Sequence, residues 1–349
     1  MKNKKNITIS DVASAAGVSK TTVSRYLNNR TDLMSEKTKN RIEKMIELLD
    51  YHPSELARSL KSKKTKTIGV VVPELRSPFY TSAISGIEDV LKRNGYSIVI
   101  MECENKLENE QSNIKEMLSR DVDGLIVDTV SNDNEYLVSL DIQKFPIVLL
   151  DRYIKNHKMD IACIDNETMM IDLFDHFEKE GFNRFALFTQ PWKDISARYE
   201  RRKYFLKTIK KRYGYDASKD IYTVGIDYAS FDEALDAFVE TFKENDVPVI
   251  IGVNSVSTFS SFHAILKKNL KIPSDIGICG PDDWSWDANM AWPEITSTTI
   301  TTNTFDTEYL GKKCAELLLE KINNPEKEIE NFKLKTNLII RESTTRKEK

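Results

Sequence analysis

The rhythm of apolar and polar positions changes near residue 66. Before it, apolar residues recur at helical spacing in short stretches. After it, compact apolar runs alternate with longer amphipathic ones. Residues 8–50 read as three short helices. Thr8 caps the first, and Asp11 completes a capping-box-like pair. Val12, Ala13 and Ala16 line its inner face, and Gly17 supplies the left-handed residue that stops it. Ser19 caps a second helix over 20–27, with Val23 and Leu27 inward. Ser35 caps a third, in which Ile42, Met45, Ile46 and Leu49 share one face. Two short helices joined by a Gly-containing turn form a helix-turn-helix arrangement.

From Thr67 onward, strands are predicted at 68–72, 97–101, 124–127, 147–150, 184–188, 249–253 and 276–279. Helices are predicted near 80–94, 110–120, 169–180, 196–212, 231–245, 256–268 and 304–322. Such alternation implies parallel sheets with both faces covered. Open parallel sheets bind ligands outside the carboxyl ends of their strands. Phe79 and Tyr80, Asp128, Asp151 with Arg152, Asn254 and Asp282 fall after such ends. Carboxylates, amide and guanidinium there suit hydroxyl groups, and aromatic faces suit a sugar ring.

Charge separates the same two regions. Residues 1–66 carry 15 Lys and Arg against 7 Asp and Glu, whereas residues 67–349 carry 36 against 47. A basic head on an acidic body points to a polyanion meeting the head alone. The outer face of the second helix is Ser19, Lys20, Thr21, Thr22, Ser24 and Arg25, with no acidic residue from Gly17 to Asn29. Hydroxyls suit phosphate, Arg pairs bidentately with guanine, and a carboxylate would be repelled by the backbone.

Several chemistries find no signature. Cys103, Cys163, Cys279 and Cys314 lie far apart, which fits buried apolar thiols better than disulfides or zinc. His52, His157, His176 and His263 lack metal-ligand spacing. No phosphate-binding glycine loop, nucleophile elbow or zinc-protease motif occurs, so no cofactor, metal or enzymatic activity is expected. The start of the chain lacks the apolar core of a signal peptide, and a cytoplasmic protein without a membrane span is expected.

The run Ile7-Thr-Ile-Ser-Asp-Val-Ala-Ser-Ala-Ala-Gly-Val-Ser-Lys-Thr-Thr-Val-Ser-Arg-Tyr-Leu-Asn-Asn29 resembles the headpiece of the lactose repressor/galactose repressor family. Ser35-Glu-Lys-Thr38, 49–60 and Leu338-Ile-Ile-Arg-Glu-Ser343 extend the resemblance along the chain. It implies a small all-α helix-turn-helix headpiece and an α/β two-lobed periplasmic-binding-protein-like domain with parallel sheets and three crossovers. The expected divisions are a headpiece at 1–52, a hinge helix and linker at 53–66, a body at 67–343 and a tail at 344–349. Within the body, one lobe is expected over 67–160 and 290–325, the other over 161–289 and 326–343.

By motif position, Lys20, Thr21 and Arg25 match base-reading residues. Thr8, Ser19, Thr22, Ser24 and Asn28 join the DNA-facing set, and Ala57 and Leu60 match a minor-groove wedge. Asp128, Asp151, Arg201, Tyr228, Asn254 and Asp282 match effector-contacting positions, with Phe79 and Tyr80 beside them and Arg152 adjacent. The chain departs from the family at Arg202-Lys203-Tyr204 and at Pro281. Arg76, Arg152, Lys193, Arg198 and Arg201 concentrate positive charge near the expected cleft, which suits an anionic sugar. The Trp284 and Trp286 run is similar to regulators of sugar-acid use. The resemblance implies a homodimeric regulator, expected to be a repressor, that binds palindromic operator DNA of a carbohydrate-utilisation operon and answers to a sugar or sugar-acid effector. A cytoplasmic sugar-binding protein and a sugar-modifying enzyme are the alternatives. The basic head speaks against the first, and the missing nucleophile–base pair against the second.

Overall fold

A computed structural model describes residues 7–27, 30–32, 34–51, 64–287 and 290–346, the side chains of Trp286, Asp287 and Met290 excepted. Asn28, Ala57 and Leu60, with the expected hinge helix, lie outside the described residues. The chain divides into two compact units at Lys66/Thr67.

In the first unit, α1 (Ile9–Ala16), α2 (Lys20–Leu27) and α3 (Glu36–Leu48) close on Val12, Ala13, Ala16, Val23 and Ile42. These are the residues that helical periodicity places inward, with Met45, Ile46 and Leu49 packed on their edge. The Asp11 carboxylate accepts from both the N–H and the hydroxyl of Thr8, at 2.7 Å each. Gly17 adopts φ +60°, and Arg41 of α3 donates to its carbonyl at 3.3 Å, fixing the turn between α1 and α2.

The second unit has two six-stranded sheets. The first contains β1 (Thr67–Val72), β2 (Ser97–Glu102), β3 (Gly124–Val127), β4 (Ile147–Leu150), β5 (Ile161–Ile164) and β13 (Asn331–Leu334), all parallel, in the order β13-β5-β4-β3-β1-β2. Covering it are α4 (Pro78–Arg93), α5 (Leu107–Ser119), α6 (Glu135–Ile142) and α11 (Thr307–Asn323). The second sheet contains β6 (Arg184–Thr189), β7 (Ile221–Thr223), β8 (Pro248–Gly252), β9 (Gly277–Pro281), β12 (Thr301–Thr304) and β14 (Asn337–Ile339), in the order β14-β12-β9-β8-β6-β7. Only β14 in it runs antiparallel. Its helices are α7 (Asn166–Lys179), α8 (Ser196–Tyr213), α9 (Phe231–Val239) and α10 (Ser255–Lys267). A short hairpin, β10 (Ser285–Asp287) and β11 (Met290–Ala291), lies outside both sheets. Buried, near-continuous apolar strands such as 68–72, 125–127 and 147–150 are what two covered faces require.

The chain passes between the lobes three times, after β5, β12 and β13. The lobe borders expected near 160, 289 and 325 are therefore corrected to about Asp165, Phe305 and Lys335. The reason is local: β5 and β13 are four-residue strands that complete the first sheet by pairing with each other, and β12 completes the second. Two helix ends also move. α9 stops at Val239, where Thr241 Oγ1 donates back to the Phe238 carbonyl at 2.7 Å. α11 starts at Thr307 because Asp306 caps it, accepting from Tyr309 N at 2.8 Å. The expected tail is anchored at its start: Thr344 is buried against His176 at 2.7 Å and Thr301 at 2.6 Å.

α4 and α11 meet at glycines. A Cβ on Gly86 would overlap the Glu308 carbonyl, and one on Gly311 would overlap that of Ala83. Cys103, Cys279 and Cys314 are buried, Cys163 is half-buried, and all are free thiols.

Candidate functional site

Two surfaces gather the residues singled out in the sequence. On α2, Ser19, Lys20, Thr21 and Arg25 are exposed, and Thr22 and Ser24 half-buried. Ser19 Oγ accepts from Thr22 N at 3.1 Å and bonds the Thr22 hydroxyl at 2.8 Å, so these two hydroxyls already cap the helix. Among the described residues no carboxylate pairs with Lys20 or Arg25. Their charges face solvent on a helix without acidic residues.

The second surface is a cavity of about 380 Å³ between the two sheets. Phe79, Tyr80, Asp151, Arg152, Arg201, Asn254 and Asp282 all line it. Asp151 follows β4 and Asp282 follows β9, so each lobe contributes a carboxylate from a strand end. Asp151 has φ 57° and Asp282 φ 75°. Non-glycine residues seldom adopt this left-handed region, and when held there they cluster at binding and active sites. Hydrogen bonds hold both: Asp151 Oδ1 accepts from Ile164 N at 3.3 Å, and Asp282 Oδ2 from Ser255 N at 3.0 Å. Burial pushes the Asp282 carboxyl up, against the pull of Arg201.

Arg152 spans the first-lobe wall. It donates to Tyr80 Oη at 2.9 Å and the Thr129 carbonyl at 3.3 Å, and its Nε lies 3.1 Å from Asp128. Asp128 does not line the cavity; it lies buried beneath Arg152, with its carboxyl pushed up to about 7 by desolvation. On the other wall, Arg201 donates to Asn166 Oδ1 at 2.8 Å and to the Val253 carbonyl at 2.7 Å. Asn254 caps α10, its Oδ1 accepting from Ser257 N at 3.0 Å. Phe79 packs edge-on to Tyr80, centroids 5.1 Å apart.

Tyr228 is not brought to the cavity. It sits in a loop bridged to Val224 and packs on Tyr222 at 5.6 Å. Conversely, Glu74, Asn105, Gln190 and Arg198 line the cavity. Gln190 directly follows β6 and Asn105 lies just beyond β2, so the strand-end rule covers both. Among the described residues no group of His, Cys, Asp and Glu is arranged to hold a metal ion, and no helix is long and apolar enough to cross a membrane.

Comparison with known proteins fits this layout. Residues 65–342 match "Periplasmic binding proteins and sugar binding domain of LacI family", and residues 8–54 match "Bacterial regulatory proteins, lacI family". The chain belongs to the LacI family. Among its LacI-family relatives, the transcriptional regulator KdgR of Bacillus subtilis is 32% identical over 96% of this chain and 97% of its own. PtxS of Pseudomonas putida is 30% identical over 98% and 97%. The solved lac repressor dimer bound to operator and the anti-inducer ONPF superposes with a TM-score of 0.82 at 23% identity, covering 98% of this chain and 100% of that one. The regulator CelR in complex with cellobiose gives 0.66 at 24%, covering 97% and 99%. At these identities the two structures speak for the fold alone. As a LacI-family member, the chain is a DNA-binding transcriptional regulator.

Proposed function

We propose that a homodimer of this regulator binds a palindromic operator through α2, and that a small carbohydrate in the cleft sets its occupancy. One observation carries the reading: a single cavity takes a left-handed aspartate from a strand end of each lobe. A ligand bridging Asp151 and Asp282 has a different affinity for each arrangement of the lobes. Only such a difference can shift an equilibrium, and a coupling of ~1–3 kcal/mol corresponds to roughly 5–150-fold control. Lys20, Thr21 and Arg25 are the base-reading candidates on α2, and Thr8, Ser19, Thr22 and Ser24 the backbone-facing ones. Two copies are needed because one helix-turn-helix reads only a half-site. The match to a family described as bacterial regulatory proteins, with a sugar binding domain over the body, supports both halves of the reading.

The reading is of a binding protein and not an enzyme. Among the described residues, the cavity lining includes no histidine, cysteine or lysine, and the hydrogen bond from lining Ser255 to Asp282 is donated by its backbone N–H, which does not make a nucleophile–base pair. Fluorescence anisotropy with a labelled duplex from upstream of its own coding region tests the proposal. A salt-sensitive complex whose affinity changes on adding one of a panel of sugars is expected. Absence of any complex, with and without each sugar, sinks it.

A further inference from the structure

Backbone carbonyls need donors, and the loop between β6 and α8 takes two of its donors from the other lobe. The Pro191 carbonyl accepts from Arg198 at 2.8 Å and the Trp192 carbonyl from Ile195 N at 3.3 Å, both within the second lobe. The next two carbonyls accept from a single residue of the first lobe. Asn132 donates its side-chain amide to the Lys193 carbonyl at 2.8 Å and its backbone N–H to the Asp194 carbonyl at 2.9 Å. Asn132 lies between β3 and α6 and is 1% exposed, and its own carbonyl accepts from Lys155 N at 2.7 Å.

Tyr153 repeats the pattern one turn further on. Its N–H donates to Ser196 Oγ at 2.9 Å and its hydroxyl to Glu200 at 2.9 Å. Lys155 Nζ stands 5.9 Å from the centroid of the Tyr199 ring, within reach of a cation–π contact. Residues 132–155 of the first lobe thus fasten residues 193–200 of the second. Asn132, Tyr153, Lys193, Asp194 and Glu200 do not line the cleft cavity, but Ala197, Arg198 and Arg201 on the same stretch do. Fixing that stretch fixes one wall of the cavity. Elsewhere the lobes leave room: a space of about 680 Å³ is lined by Arg76, Phe79 and Ser82 of the first lobe and by Asp283 and Trp284 of the second.

We infer that Asn132 and Tyr153 form a clasp that holds the two lobes together while the cavity is empty, and so sets the resting affinity for operator. This rests on the cleft reading above and adds a control of that cleft by residues outside it. Parting the lobes would strip a buried amide and two carbonyls of their partners, and one such loss typically shifts an equilibrium by about tenfold. An effector moves the lobes only by its difference in affinity for their arrangements. Bonds that favour one arrangement beforehand change its apparent affinity through the fraction already populated.

Hydrogen exchange of the full-length protein without ligand, read by mass spectrometry, tests the clasp. Asn132→Asp sets an acceptor against the Lys193 carbonyl, and Ser196→Ala removes the acceptor of Tyr153 N from the other lobe. The amides of Asn132 and Tyr153 should be protected in the original protein and exchange about tenfold faster or more in both variants, while β1 and β6 keep their protection. Affinity for the duplex from upstream of the coding region should shift by about fivefold or more, in one direction for both variants. The inference is overturned if the two amides exchange as fast as exposed loops in the original protein, or if either variant leaves them unchanged. It is equally overturned if β1 and β6 lose protection alongside them, or if duplex affinity stays constant or moves in opposite directions. Should the original protein bind no duplex at all, the regulator reading fails, and exchange alone judges the clasp.

Discussion

Asp151 and Asp282 occupy equivalent places in the two lobes: each follows a strand, each has a left-handed backbone, and both line one cavity. Their side chains hold local backbone N–H groups, Ile164 and Ser255, so the strained turns are braced before any ligand arrives. Each lobe thus presents the same local device, a left-handed aspartate at a strand end, to one space.

Asp282→Asn separates the charge of this residue from its conformation. Asparagine tolerates the left-handed region, so the fold should persist with a melting temperature within a few degrees. Affinity for the sugar effector should fall about tenfold, because a neutral amide is a poorer partner for hydroxyls than a carboxylate. Calorimetry and thermal melts on the same sample check both halves. A collapse in stability would mean that Asp282 mainly braces the turn.

Arg25→Ala should cost about 1–3 kcal/mol of operator affinity and relax the preference for one base pair. Lys20→Ala should also weaken binding. Competition with single-base operator variants measures the difference, and an unchanged preference profile for Arg25→Ala would place base reading elsewhere.

Asp128 gives a pH dependence of defined sign. Desolvation raises its folded carboxyl to about 7, above its unfolded value. The folded state therefore holds a proton that the unfolded state has released, and stability contributed by Asp128 declines as pH rises from about 4 to about 7. Asp128→Asn cannot release that proton. The stability of the original protein, measured against Asp128→Asn by urea denaturation, should fall across this window and level off above it. A difference that grows with pH would show instead that Arg152 holds the carboxylate charged.

Gly86→Ala tests the contact between α4 and α11. The added methyl meets a backbone oxygen, which cannot rotate away as a side-chain tip would. Overpacking of this kind typically costs about 1–3 kcal/mol. A urea midpoint equal to that of the original protein would mean the helices part without penalty.

Much of this was legible in the sequence because its signals are strong where packing is simple. The core of the first unit follows from helical spacing at Val12, Ala16, Val23 and Ile42. β1, β3 and β4 follow from apolar runs that only two covered faces explain. The strand-end rule places Asp151, Arg152, Asn254 and Asp282 in the cavity. What escaped depends on neighbours distant in sequence. β7 and β14 have three residues each and exist by virtue of the strands beside them. α6, Glu-Tyr-Leu-Val-Ser-Leu-Asp-Ile, lacks a clean polar face and so gives no periodic signal. Asp128 also follows a strand, but Arg152 covers it, and no local pattern reports that.

The glycine contact between α4 and α11 has a mechanical consequence. At Gly86 and Gly311 backbone meets backbone, so any change in the spacing or angle of the two helices must break that contact. α11 is entered directly from β12 of the other lobe, and α4 follows β1, whose first residue succeeds Lys66 in the chain. A path through two helices joined at their glycines therefore runs from β12 of one sheet to Thr67, where the second unit begins.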